Sequence, residues 1–349
     1  MLAKELLALR LHASHISGTR HQSPGALVAW LGAVQSQEFN HAKWALGVRL
    51  PGMTEADIDL AIANREIVRA WMLRGTLHLM AAEDYRWMIT LVGPGCRART
   101  QSMNKKLGLD ETTLAKAVAI TCETLQGGKA LERTEIFRAI EAQGIGLAGL
   151  RGTFVLYEAA HGGKICLGPM KDKQDTYVLV EEWLPPTGTL SREEAVTELA
   201  RRYFQSHGPA TLQDFVAWSG LGVREARQGL LENQAGLDKV AFEGNDYWMG
   251  MQDVGANLPD LLLLPGFDEY LIAYKDRSII LETAHHSKVI TSNGIFRPII
   301  VVGGKVVGTW QKAAKRDRLE LLAQYFDAPA PQLSQDAQLT ALRHFHGLG

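Results

Sequence analysis

Ser191-Arg-Glu-Glu-Ala-Val-Thr-Glu-Leu-Ala200 begins with a capping box: a Ser oxygen for orphan helix N–H groups and a Glu three positions on. The helix it predicts carries Ala195, Leu199 and Phe204 as apolar positions and is broken at Gly208-Pro209. Thr211 with Asp214 opens a second helix through about Trp218, Ser219-Gly220 turns the chain, and a third helix runs roughly from Val223 to Leu231. Val240-Ala-Phe242, a Gly244-Asn-Asp246 turn and Tyr247-Trp-Met249 then read as a β-hairpin. Three helices followed by a hairpin are the order of a winged helix.

The same plan occurs upstream. A helix from about Thr112 to Leu125 ends at Gly127-Gly128, Thr134-Glu135 opens a second through Ala142, and Thr153 opens a third through Ala160. Lys164-Ile-Cys-Leu167 and Tyr177-Val-Leu-Val180 supply the hairpin. A looser copy has helices at Leu2 to His12, Ser23-Pro24 to about Gln35 and Thr54 to Asn64, with a wing from Ile67 to Met80. Its residues 38–53 read as a long connection, a place where function often resides.

From residue 258 the pattern changes. Leu261 to Leu264 is a buried-strand run, and Val289 to Ser292, Ile295 to Val302 and Lys305 to Trp310 read as strands. They are joined by the turn dipeptides Asn293-Gly294 and Gly303-Gly304. Arg316 to Phe326 reads as a helix, Ala328-Pro-Ala-Pro331 as a linker, and the remainder as an amphipathic tail helix. The expectation is an α+β chain of three tandem winged-helix units, 1–110, 111–187 and 188–257, followed by an antiparallel β-unit with helices at 258–349.

Composition narrows the class. With 349 residues, 46% apolar and 21% charged, the chain reads as globular, neither disordered nor membrane-spanning. Lys4, Glu5 and Arg10 interrupt any signal-peptide core. Three widely spaced cysteines without a CxxC pair argue against a disulfide framework and fit a reducing cytoplasm. The eleven histidines form neither HxxxH nor HExxH, so no metal and no cofactor are expected. The net charge of −1 is unevenly spread: +4 over 1–110, −2 over 111–190, −4 over 191–257 and +1 over 258–349. A polyanion should therefore meet the two ends of the chain, although an ordinary mixed surface gives similar scatter.

Four groups of residues carry potential chemistry. Gln35 and Gln37 project to one side if the backbone is extended there, and their amides can orient a water or bond a sugar; two surface glutamines are the plainer alternative. Arg74, Thr76 and His78 would line one face of a wing strand, suited to a phosphate or a reacting water, or simply solvated. Asp268-Glu269 follows a strand end, where acids can stabilise a cation, cap a helix, or pair with Lys275 and Arg277. Arg97, Arg99, Lys105 and Lys106, with Lys312, Lys315, Arg316 and Arg318 later, are the phosphate-contact candidates; solvated helix faces are the common alternative. His285-His286 lacks a third ligand at metal spacing.

Leu31-Gly-Ala-Val-Gln-Ser-Gln37, Trp71-Met-Leu-Arg-Gly-Thr-Leu-His78, Leu264-Pro-Gly-Phe-Asp-Glu-Tyr270 through Lys275-Asp-Arg277, and Val307-Gly-Thr-Trp310 together resemble the AlkZ/YcaQ family of winged-helix DNA glycosylases. The four passages occur in the family's order and span nearly the whole chain. The resemblance implies tandem winged helices with a C-terminal β-unit and hydrolysis of the N-glycosidic bond of alkylated purines, interstrand crosslinks included, without a cofactor. Its catalytic motif is Gln-x-Gln in AlkZ-like and Gln-x-Asp in YcaQ-like members; Gln35 and Gln37 match the first form.

On this reading Gln37 holds the attacking water, Gln35 holds that water or the sugar, and His78, Arg74 and Asp268 support them. The enzyme would be a monofunctional hydrolase, since no lysine nucleophile is placed. Its partner would be double-stranded DNA with alkylated bases, bound by a monomer in the cytoplasm, at the nucleoid if bacterial. The competing readings are a non-catalytic winged-helix regulator and a protein-interaction scaffold. The acids Glu55, Asp57 and Asp59 on one candidate recognition helix count against the first of these.

Overall fold

A computed structural model describes residues 1–18, 21–251, 258–315, 318–327 and 335–348. It is a mixed α and β protein, with helices at all nine positions expected in the three repeats. Packing gathers the chain into two units, Met1–Ile58 with Val196–Gly349, and Asp59–Ala195.

In Asp59–Ala195 the helices Glu111–Leu125, Arg133–Ala142 and Arg151–His161 close over one core. Their inward residues, Leu114, Ala117, Leu125, Ile136, Ile140, Val155 and Ala159, recur at helical spacing and are buried. Asp110 caps the first helix by accepting from the Thr113 N–H at 2.7 Å. The strands Leu77–Ala81, Ile67–Trp71, Ile165–Leu167, Thr176–Leu179 and Leu131–Glu132 lie in that order in an antiparallel sheet. Arg69 pairs with Leu167, so the hairpins expected of two successive repeats share one sheet. Ile67–Trp71 and Leu77–Ala81 are buried on both faces. The longest helix, Tyr85–Lys106, is absent from the sequence expectation because Gly93-Pro94-Gly95 interrupts its pattern.

The other unit begins with helices Ala3–Ala13, Pro24–Leu31 and Phe39–Arg49. It continues through Arg192–His207, Leu212–Ser219 and Val223–Asn233 to the hairpin Leu237–Phe242 and Asn245–Gly250. Thr211 and Asp214 form the reciprocal cap that their spacing predicts. A four-stranded antiparallel sheet follows, ordered Arg318–Tyr325, Lys305–Lys315, Ile299–Val302, Leu262–Leu264. Gly303 and Gly304 form its tight turn with φ of 55° and 82°. The tail helix Asp336–Phe345 sets Phe345 edge-on to Trp44, ring centroids 5.2 Å apart.

Several expectations are corrected. Residues 38–53 contain the helix Phe39–Arg49, which buries Ala42, Lys43, Trp44, Ala45, Leu46, Gly47 and Arg49. A helix buried on most sides carries no polar stripe for periodicity to detect. The segment expected as a helix from Arg316 to Phe326 is strand over Arg318–Tyr325, paired along its length with Lys305–Lys315. Its leucines satisfy either period, and the neighbouring strand decides. Val289 to Ser292 is not a strand: His286–Val289 is one helical turn and Ile290 only bridges to Phe296. The linker expected at Ala328 to Pro331 lies outside the described residues. Among the described residues, no helix is long and apolar enough to cross a membrane.

Candidate active site

The Pro24–Leu31 helix stops short of the expected end at Gln35 because Gly32 takes φ 76°, a left-handed turn open to glycine. The chain then runs extended through Val34–Gln35. Val34 and Ser36 are buried, whereas Gln35 is half-buried and Gln37 exposed. Gln35 and Gln37 are thus the two more accessible residues of the segment 34–37. Two residues after Gln37 the Phe39–Arg49 helix begins, its Glu38 N-cap residue making no side-chain cap.

Gln35 is anchored through its backbone. Its N–H donates to Glu269 Oε1 at 2.9 Å, and Trp218 Nε1 donates to Glu269 Oε2 at 2.9 Å. His207 Nε2 stands 3.5 Å from that same Oε2. Glu269 is only 1% exposed, so its contacts lie within the protein. Asp268, favoured by the sequence reading, is spent differently. Both its oxygens accept from Arg49, and Oδ1 also accepts from the Tyr270 N–H as the cap of Glu269–Ile272. A helix-cap signal could have separated the two acids, since Asp is a preferred N-cap residue and Glu is not.

The loop before them is tightly built. A Cβ on Gly266 would lie 2.4 Å from the Phe296 carbonyl oxygen and 2.8 Å from His41 Nδ1, so only glycine allows this approach. Phe267 adopts φ 60°, a left-handed conformation costly to a bulky side chain, and its ring meets Phe296 at 5.5 Å. Burial holds the His41 imidazole below its usual range, Glu38 pulling it up and Lys312 pushing it down. His41 therefore offers a neutral ring on the helix that follows the glutamines.

Arg74 and His78 belong to the other packing unit. The expected row of Arg74, Thr76 and His78 on one strand face does not form. Leu73–Gly75 is a single 3-10 turn with Arg74 at φ 58°, and only Leu77–Ala81 is strand. The His78 ring is buried, with Nδ1 2.9 Å from the Thr76 carbonyl oxygen.

Arg97, Arg99, Lys105 and Lys106 are exposed along Tyr85–Lys106, the two lysines in its last turn, where cations suit the helix dipole. Arg97 reaches Glu158 at 3.5 Å, and Arg99 donates to Cys96 Sγ at 3.1 Å. Lys312 is exposed and lies 3.4 Å from His346 Nε2. Arg316 and the side chains of Lys315 and Arg318 lie outside the described residues. His285 is held by Asp327 at 3.0 Å. Among the described residues no group of three or more His, Cys, Asp or Glu is placed to hold a metal ion.

A family model described as DNA glycosylase AlkZ-like matches residues 28–344, nearly the whole chain and all of the geometry around Gln35 and Gln37. The chain belongs to the AlkZ-like DNA glycosylase family. Within the family it is similar to an interstrand DNA cross-link repair glycosylase of Streptomyces sahachiroi, 24% identical over 325 residues that cover 88% of this chain and 87% of the relative. The solved structure of the Streptomyces sahachiroi DNA glycosylase AlkZ has the same fold, with a TM-score of 0.81 at 23% identity over 98% of this chain and 95% of that one. The AlkZ-like fold thus accounts for the whole arrangement of helices, shared sheet and C-terminal β-unit.

Proposed function

We propose that this AlkZ-like chain is a monofunctional DNA glycosylase that hydrolyses the N-glycosidic bond of N3- or N7-alkylated purines, with Gln35 and Gln37 positioning the water. The observation that carries the reading is the alternation around Ser36, which exposes Gln37, half-exposes Gln35 and buries Val34 between the helix end and Gln35. The substrate class extends to crosslinks by likeness to the relative named for interstrand cross-link repair.

An alkylated purine is cationic and needs no strong acid to leave. As the C1′–N bond breaks, its electron pair passes into the purine ring, which departs neutral. The sugar becomes oxocarbenium-like, water adds at C1′, and its proton passes to solvent. The amide oxygen of Gln37 accepts from that water, and Gln35 holds the water or the sugar. No metal or cofactor enters these steps. A fixed acceptor contributes by orientation, because the water need not be reorganised as charge develops.

Double-stranded DNA is the partner on this reading, contacted by Arg97, Arg99, Lys105, Lys106 and Lys312, with the segment around Lys315 and Arg316 as a further contact. Segments 1–110, 111–187 and 188–257 are taken as winged-helix units preceding the β-unit 258–349, and the protein as a monomer working at cytoplasmic DNA. The test is incubation with duplex DNA carrying 7-methylguanine, scored for free base. Release by the parent and not by Gln37→Ala is expected. DNA binding without base release would favour a non-catalytic regulator.

A further inference from the structure

Ile295 is 48% exposed in a chain that buries most of its isoleucines. Apolar side chains scattered singly over a surface are ordinary, so its meaning depends on how it is mounted. It ends the turn Thr291-Ser-Asn-Gly-Ile295. Thr291 closes that turn three times over. Its N–H donates to the Ile295 carbonyl at 3.0 Å, its hydroxyl accepts from the Ile295 N–H at 3.1 Å, and its carbonyl accepts from the Gly294 N–H at 2.9 Å. Gly294 supplies the left-handed φ of 74° that the turn requires. On either side, Ile290 bridges to Phe296, and the Arg297 N–H donates to the Val289 carbonyl at 2.9 Å. A β-branched side chain, itself stiff at χ1, is thus held out on a closed turn.

The turn stands on the loop that supports the glutamines. The Phe296 carbonyl and the His41 ring crowd the same place, where a Gly266 Cβ would lie. His41 belongs to the first turn of the helix after Gln37, and Glu269, three residues beyond Gly266, accepts from the Gln35 N–H. One short loop therefore touches both ends of the segment 35–41 and the residue next to Ile295. Beneath the turn the Phe296 ring packs on Phe267 and lies 5.3 Å from the Arg277 guanidinium. Cations accompany it: Arg297 is exposed two residues on, and the charge of Lys312 is felt at His41. An apolar tip among cations suits a polyanion with an apolar interior, which is a DNA duplex.

In a duplex the neighbouring bases enclose a stacked purine, and drawing its nucleotide out costs unstacking energy. An apolar side chain that fills the opened step offsets this cost. We infer that Ile295 is such a wedge, entering the base stack beside the lesion and holding the alkylated nucleotide displaced towards Gln35 and Gln37. The inference rests on the glycosylase reading proposed above. Ile295 takes no part in breaking the bond; it positions the substrate. The closed turn matters because a side chain on a loose loop would lose more conformational entropy on entering the stack.

The experiment compares the parent with Ile295→Ala, Ile295→Leu and Gln37→Ala on two DNAs. One carries 7-methylguanine paired in a duplex, the other the same lesion in an unpaired bubble, each with 2-aminopurine beside it. Single-turnover base release, DNA affinity and 2-aminopurine fluorescence are measured. With half its surface in solvent, Ile295 can be replaced without unfolding the protein. Ile295→Ala should slow release from the paired duplex about 10-fold or more, yet leave release from the already open bubble within about twofold. Affinity should stay within about threefold, because no phosphate contact is removed. Binding of the parent should raise 2-aminopurine fluorescence as that base unstacks. Ile295→Ala should lose the rise and Ile295→Leu should keep both rise and rate. Gln37→Ala should keep the rise while losing release from both DNAs. Ile295→Ala with the parent's duplex rate, or with equal losses on the two DNAs, overturns the inference. So does a parent that binds without any rise in fluorescence. A parent that releases base from neither DNA overturns the glycosylase reading instead, and the fluorescence of parent against Ile295→Ala then decides the wedge by itself.

Discussion

Arg49 and Asp268 form a two-armed ion pair in the interior: Nη1 donates to Oδ2 and Nη2 to Oδ1, each at 2.9 Å, with neither residue more than 1% exposed. Arg49 also donates to the carbonyls of Ser14 and Ala45, so a single guanidinium joins the first helix, the Phe39–Arg49 helix and the Gly266–Glu269 loop. Such a pair is weak evidence of net stability when formed but costly when halved.

Asp268→Asn should therefore destabilise the protein by about 3–5 kcal/mol, because Arg49 keeps its charge without a counter-charge. Urea unfolding measures this. The folded fraction should excise base near the parent rate at low temperature. A folded Asp268→Asn with lost excision would return Asp268 to a direct part in the chemistry.

Gln37→Ala should cut excision roughly 100-fold or more, the scale of losing one placed catalytic group. DNA affinity should hardly change, since an uncharged amide releases no counterion. Gln35→Ala should also lose activity, and the double variant should fall short of the product of the two losses because both amides serve one water and one sugar. Gln37→Asp recreates the Gln-x-Asp form and should retain more activity than Gln37→Ala.

Lys105 and Lys106 are exposed at the end of their helix. Replacing both with alanine should weaken binding to all duplex sequences alike and lower the salt slope of log K by about 2. Titrations at several salt concentrations would measure it. An unchanged slope would remove these lysines from the DNA contact.

Acid stability should fall in two windows. Burial, with Arg99 and Arg97 nearby, pushes the His161 ring down to about 4 from 6.5. The unfolded chain thus takes up a proton there before the folded one, and stability declines as pH falls from 6.5 towards 4. The Glu55 carboxyl is held at about 2 rather than 4.5, by hydrogen bonding to His346 and, against the opposing effect of burial, by Lys43. Its contribution is complete above pH 4.5 and is lost as pH falls through 2. Urea midpoints against pH should flatten in the upper window for His161→Leu and in the lower one for Glu55→Gln.

Local signals made much of this fold readable. The repeats around Thr112 to Val180 and Ser191 to Met249 carry caps, amphipathic stripes and glycine turns within windows of a dozen residues, and their helices appear close to the expected boundaries. Gly303-Gly304 announced its hairpin, and the chain is extended at Val34–Gln35 where the helix was expected to end.

Tertiary structure decided the rest, because the deciding energy lay in distant partners. The Phe39–Arg49 helix has no stripe since it is buried on most sides, and Arg318–Tyr325 became strand because Lys305–Lys315 was there to pair with it. Asp268 and Glu269 are adjacent in sequence, yet one meets Arg49 and the other the Gln35 N–H, 234 positions away. Side-chain type sets which hydrogen bonds and charges are available, whereas the assignment of each acid depends on chain segments that only folding brings together.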